Sequence, residues 1–151
     1  MKELTNVNIR PGVTILSVLK HLNYKSYYAL AEFVDNAIDS YLKNENDLKK
    51  IDGDDFKLRI EIEFDNNNKR IIIKDNAAGI HSSDYQRAFR TAELPPDNTR
   101  LSEFGMGMKS AACWFSNKWQ VKTTSLDEKI ERTVTFDISR IVEDKIQELQ
   151  I

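Results

Sequence analysis

The chain has 151 residues, with 22 Lys and Arg against 24 Asp and Glu, 40% apolar residues and 30% charged ones. This is the balance of a globular protein of one compact domain. It leaves no basic excess for nucleic acid and no like-charged tail, and its one cysteine, Cys113, excludes an internal disulfide.

The start, MKELTNVNIRPG, has no apolar signal region, and no run is long enough to cross a bilayer. A cytoplasmic protein without a membrane partner is the expectation. In chain order, VTILSVLKHLNY is predicted as a first helix. SYYALAEFVDNAIDSYLKN is predicted as a longer one, with Leu30, Phe33, Val34, Ala37, Ile38 and Tyr41 on one face. NENDLKKIDGDD then reads as a polar loop. KLRIEIEF alternates, placing Leu58, Ile60, Ile62 and Phe64 on one side as in a half-buried strand, and RIIIK returns after the turn DNNNK. SSDYQRAFR opens with Ser83 three residues before Gln86, a capping-box start for a short helix. TAELPPDNTRLSEFGMGMK is long and rich in turn formers, as lids are. SAACWFSN reads as a helix, KWQVKTTS and IERTVTFD as a second hairpin, and the C-terminal run as a last helix that can lead into further chain. Helices, hairpin, helix and lid, hairpin, helix is the order of an α+β two-layer sandwich, one sheet with helices on a single face.

Three segments carry candidate chemistry. In EFVDNAID, residues 32, 36 and 39 fall on one helical stripe, with Asp35 at its edge and Lys43 a turn further on. Such a stripe is either a solvated polar face or a site. An Asn supplies a neutral oxygen suited to a Mg²⁺ ion already neutralised by phosphate, and a Glu one turn away can orient or deprotonate water. IIIKDNAAGI ends an apolar strand on Asp75. That Asp either starts a turn or accepts a hydrogen bond from a ligand such as an adenine amino group, with Gly79 allowing close backbone approach. FGMGMKSAA places Gly105 and Gly107 before a helix, where backbone N–H groups can face an anion and Lys109 can add charge. It is neither a P-loop nor a dinucleotide fingerprint.

In combination and in this order, the segments resemble the GHKL ATPase superfamily, which contains DNA gyrase B, the heat-shock chaperone ATPases, sensor histidine kinases and MutL. The resemblance covers nearly the whole chain, and the wording is closest to the chaperone-type and MORC-type branch. ALAEFVDNAIDSY resembles the N-box, DNAAGI the adenine box and FGMGMKSAA the phosphate box. The resemblance implies a Bergerat-type ATP-binding sandwich with a mixed sheet, one domain over 1–151 and a lid over about 81–104. It implies ATP and Mg²⁺ as cofactors, ATP and ADP as partners, and an ATP-dependent homodimer formed through regions outside this chain. It makes Glu32 the general base and Asn36 the Mg²⁺ ligand. It puts Asp39 in the pocket, Asp75 on the adenine amino group, and Gly79 and Ile80 along the base. Gly105, Met106, Gly107, Met108 and Lys109 become the phosphate cradle, and Thr123 an adenine-side hydroxyl, with Thr124 as the neighbouring register.

The adenine box departs from the usual DxGxG, because its first glycine is Ala77. Ala serves there if the backbone needs only a small side chain, and costs about 1 kcal/mol if it needs positive φ. Slow ATP hydrolysis driving a conformational switch is the expected activity. A histidine-kinase-type phosphotransfer domain, a non-catalytic nucleotide-gated module and a domain that has lost nucleotide binding are the competing expectations. Lys43, His21 and His81 read as surface or turn residues, and Cys113 and Trp119 as packing residues.

Overall fold

A computed structural model of the chain describes residues 12–90 and 107–151. Its elements are α1 (Ile15–Leu19), α2 (Ser26–Asp52), β1 (Ile60–Asp65), β2 (Arg70–Asp75), a 3₁₀ turn at Ser82–Asp84 leading into α3 (Tyr85–Phe89), α4 (Gly107–Phe115), β3 (Lys118–Thr123), β4 (Arg132–Asp137) and α5 (Ile138–Glu143).

Helix α2 does not stop where the polar run begins. It continues through the expected loop to Asp52, because the polar residues there pair at helical spacing. Lys49 reaches Glu45 at 2.6 Å, Lys50 reaches Asp47 at 2.8 Å, and Asn44 Nδ2 donates to the Ser40 carbonyl at 2.8 Å. Leu48 anchors this extension, at 1% exposure. Gly53 ends it with φ of 98°, its N–H donating to the Lys49 carbonyl at 2.9 Å.

β1 and β2 pair antiparallel from Ile60↔Asp75 to Asp65↔Arg70. Asp65 ties their turn, accepting from Asn68 N at 3.0 Å, Asn68 Nδ2 at 2.9 Å and Arg70 Nη2 at 2.8 Å. The Arg70 guanidinium holds the Asp65 carboxyl well below the usual carboxylate range. Cover on this hairpin is partial: Leu58, Ile60, Ile72 and Ile73 are half-buried, whereas Ile62 and Phe64 of β1 are exposed, Phe64 at 59%. β3 and β4 pair antiparallel from Lys118↔Asp137 to Thr123↔Arg132. The architecture is α+β, as expected. The mixed sheet is resolved, among the described residues, into two antiparallel hairpins instead of one ladder. The segment after β2 turns at Gly79 and meets the end of β3 through Leu126 N to the Ala78 carbonyl (3.2 Å) and Ile80 N to Thr123 Oγ1 (2.8 Å).

The main core gathers Leu16 and Leu19 of α1, Cys113 of α4, Val134 and Phe136 of β4, and Ile138 and Ile141 at α5. Trp119 stacks on Phe136 with centroids 3.8 Å apart, so both expected packing residues, Trp119 and Cys113, do pack. Burial pushes the Cys113 thiol up from its ordinary value.

The buried Leu48 gives a direct check on the length of α2. Leu48→Ala should lower unfolding free energy by about 2–5 kcal/mol in urea titration. A loss under about 0.5 kcal/mol is what a surface position gives and would return this segment to a loop.

Candidate functional site

α2 packs against α4. Small residues without exposed surface occur on both, Ala29 and Ala111, which lets two helix axes approach closely. At the first residue of α4 the approach is closer still. A methyl group on Gly107 would collide with Glu32 Oε2 and lie 2.9 Å from Glu32 Cδ. The structure therefore brings the acidic stripe and the glycine-rich helix start into contact, in a space that a side chain at 107 would share with the movable end of Glu32.

Glu32 is half-buried, and burial raises its pKa from the ordinary carboxylate value, with the negative charge of Asp35 adding to the rise. Tyr24 belongs to the same environment. Its phenol is pushed up first by burial and then by the charge of Glu32. Sequence reading missed Tyr24 because it precedes the helix, and only the folded chain returns it to Glu32. Asn36 is half-buried one turn along α2, and Asp39 is buried at 4% exposure, so the stripe enters the protein instead of facing solvent. Lys43 is exposed.

The turn after β2 is built by its own polar side chains. Asp75 is exposed, and its Oδ1 accepts from Ala77 N at 3.0 Å. Asn76 Oδ1 accepts from Arg59 N at 2.6 Å, and its Nδ2 donates to the Lys57 carbonyl at 3.0 Å. Among the described non-glycine residues positive φ is confined to Lys69 and Lys145, so Ala77 requires none of glycine's freedom. Gly79 does: its φ is 70°, and a Cβ there would strike the Thr124 carbonyl, 2.8 Å from its carbon. The close approach expected at Gly79 is thus made by the chain's own backbone. Of the two threonines, Thr123 is buried and accepts from Ile80 N at 2.8 Å, while Thr124 is exposed. Ile80 is half-buried.

The phosphate segment divides. Gly105 and Met106, with lid residues 91–104, lie outside the described residues. Gly107 and Met108 are half-buried at the start of α4. Lys109, expected beside a phosphate, is a buried residue of α4. It is 1% exposed, and its Nζ donates to the Arg90 carbonyl at 2.5 Å and the Arg87 carbonyl at 3.3 Å. Its ammonium therefore touches the end of α3. A correction concerns the approach to α3: the expected Ser83–Gln86 capping box does not form, His81 caps the preceding 3₁₀ turn, and no side chain caps α3 at Asp84. His81 Nδ1 accepts from Ser83 N at 3.2 Å and lies 2.7 Å from Ser83 Oγ, and Nε2 is 3.3 Å from Asp127 Oδ2. His81 thus serves the turn, and His21 is exposed, both as expected.

An open cleft of about 470 Å³ runs between Asn44 and Asp47 of α2 and Ala78, Gly79, Ser125 and Leu126. It shares Gly79 with the expected set but includes none of Glu32, Asn36, Asp39 or Asp75. Cleft size therefore does not mark the site, whereas the Glu32–Gly107 contact joins two of its expected walls. No three His, Cys, Asp or Glu side chains gather into a metal-binding group among the described residues. The lone neutral oxygen of Asn36 fits an ion that arrives largely coordinated by phosphate and water.

Residues 24–151 match the family model described as Histidine kinase-, DNA gyrase B-, and HSP90-like ATPase. The chain belongs to this family, the GHKL superfamily of ATP-binding domains, and the match spans every residue of the expected site. No curated protein matches the chain. Among the described residues no helix is long and apolar enough to cross a membrane.

The two glycines should respond oppositely to a methyl group. Gly79→Ala meets backbone at positive φ and should lose at least about 1–2 kcal/mol of stability. Gly107→Ala meets the mobile end of a Glu side chain. It should stay within about 0.5 kcal/mol of the parent in urea unfolding while moving the Glu32 carboxylate. Equal losses at both positions would contradict the contact at Gly107.

Proposed function

We propose that this domain binds ATP together with Mg²⁺ and hydrolyses it slowly, using the cycle as a conformational switch. The observation that supports the reading best is the Glu32 carboxylate lodged against the first residue of α4. The first N–H groups of any helix lack intrahelical partners and face an anion favourably. A triphosphate bound at the start of α4, over the backbone of residues 105–109, would bring its terminal phosphate toward Glu32.

In this reading Glu32 orients a water and takes its proton. The water oxygen bonds to the γ-phosphorus as the bond to the β-phosphate oxygen breaks, and ADP and phosphate leave. A raised pKa suits Glu32 to that role, because a base works best when its pKa approaches the working pH. Asn36 offers its amide oxygen to Mg²⁺, which when bound neutralises phosphate charge. Asp39 lines the pocket. Asp75, with Oδ1 engaged by Ala77 N, offers Oδ2 to the adenine amino group. Thr123 supports the base from β3, and Gly79 and Ile80 pack along it.

Residues 1–151 form one domain in this proposal, and the lid runs over about 81–104, rooted in α3, closing to exclude water. The chaperone-type and MORC-type branch, a cytoplasmic location and an ATP-dependent homodimer through regions outside this chain complete it. The histidine-kinase alternative is weaker, since a water-activating Glu serves hydrolysis and not transfer to a protein histidine.

Glu32→Gln tests the chemistry. The variant should bind ATP with affinity near the parent's and lose turnover by on the order of a hundredfold or more. Retained turnover would remove Glu32 from the mechanism, and absent ATP binding by the parent would remove the proposal. Stability gives a second readout. Folded Glu32 binds its proton more tightly than the unfolded chain does, so its contribution favours the fold below the ordinary Glu pKa. That contribution is lost as pH rises through the raised folded value. Glu32→Gln should flatten this part of the melting profile between pH 4 and 8 and melt no lower than the parent at neutral pH.

A further inference from the structure

Lys109 is among the most deeply buried large side chains of the described protein. A buried ammonium is tolerated only where strong acceptors surround it. The acceptors here include the carbonyls of Arg87 and Arg90. Those carbonyls belong to the last turn of α3 and the residue that caps it, Arg90, whose backbone turns extended at ψ of 141°. The final carbonyls of a helix have no partner within it, and Lys109 supplies one from another helix. The ammonium thus fixes the point at which the chain leaves α3.

The direction of Lys109 follows from helix geometry. Gly107 and Lys109 are two residues apart on α4, roughly 200° around its axis, and so face opposite sides. One side of α4 meets Glu32 through Gly107. The other carries Lys109 and, four residues on, Cys113, which enters the main core. Helix α4 is therefore a strut clamped from both sides, by the Glu32 carboxylate of α2 and by the carbonyl end of α3. Rotating or sliding α4 to release one contact disturbs the other.

We propose that Lys109 is a positioning residue, a latch that holds the end of α3 to α4 and keeps the start of α4 in register with Glu32, and that it does not ligate phosphate. The catalytic part rests on the ATPase reading above; the latch itself does not. Lys109 sets the geometry in which Glu32 meets a terminal phosphate, through its contacts with the Arg87 and Arg90 carbonyls.

Two measurements on the full chain test this. The first uses the unaltered protein: brief acetylation with an amine-reactive ester, with lysine occupancy read by mass spectrometry, with and without ADP and Mg²⁺. Lys109 should be protected in both states while exposed lysines such as Lys43 react. Reactivity without ADP that disappears with it would overturn the latch in favour of a phosphate ligand. Reactivity in both states would overturn it outright. The second compares Lys109→Met with the parent. Amide hydrogen exchange over residues 85–90 should quicken in nucleotide-free protein, a result independent of any ATPase activity. ADP affinity should stay within about threefold while kcat falls on the order of tenfold to a hundredfold, as expected for a misplaced catalytic geometry. A tenfold loss of ADP affinity with unchanged exchange over 85–90 would overturn the proposal. Quickened exchange in a protein whose parent neither binds nor hydrolyses ATP would keep the latch and reject the ATPase reading. If Lys109→Met does not fold, the acetylation result decides.

Discussion

The meeting of a carboxylate with a helix start, across a gap left by a glycine, is the contact on which the candidate site depends. Residue 107 has no side chain, and into that space Glu32 of α2 projects. Helix α4 then runs from this contact into the main core through Cys113, beside α1 and β4. Any larger residue at 107 would push the Glu32 carboxylate away from its place. Glu32 is half-buried there, its pKa is raised by that burial and by the charge of Asp35, and its own charge raises the Tyr24 phenol after burial does. Burying a carboxylate next to a second acid, Asp35, opposes folding.

Much of this was legible in the chain. The acidic stripe, the strand ending in Asp75 and the glycines before a helix are local patterns with local causes, and their order pointed to the family that residues 24–151 match. The two hairpins were visible as alternation around turn residues, and their observed ends lie within a few residues of expectation. Thr123 was separable from Thr124 only in the fold, where its hydroxyl accepts from Ile80 N across 43 positions of sequence.

What was not legible depended on distant partners. The run 44–52 is polar by composition, and its helical state comes from Glu45–Lys49 and Asp47–Lys50 pairing and from Leu48 finding cover. The pairs were in the sequence at helical spacing; the cover was not. Ala77 raised a conformational question that a backbone angle answers. Lys109 follows glycines at a helix start, where a lysine reads as a phosphate contact. Its partners include carbonyls nineteen and twenty-two positions earlier, and nothing local announces them. The hydrophobic alternation of β1 predicted cover along its length, but of its apolar face Ile60 is half-buried while Ile62 and Phe64 are exposed.

A crystal structure of the chain with a non-hydrolysable ATP analogue and Mg²⁺ addresses the Glu32–α4 arrangement most directly. The triphosphate should lie over the first turn of α4, with the Glu32 carboxylate facing the terminal phosphate across one water and Asn36 on the metal. An analogue seated in the cleft between Asn44 and Leu126, with Glu32 still closed against Gly107 and no phosphate near it, would contradict that arrangement.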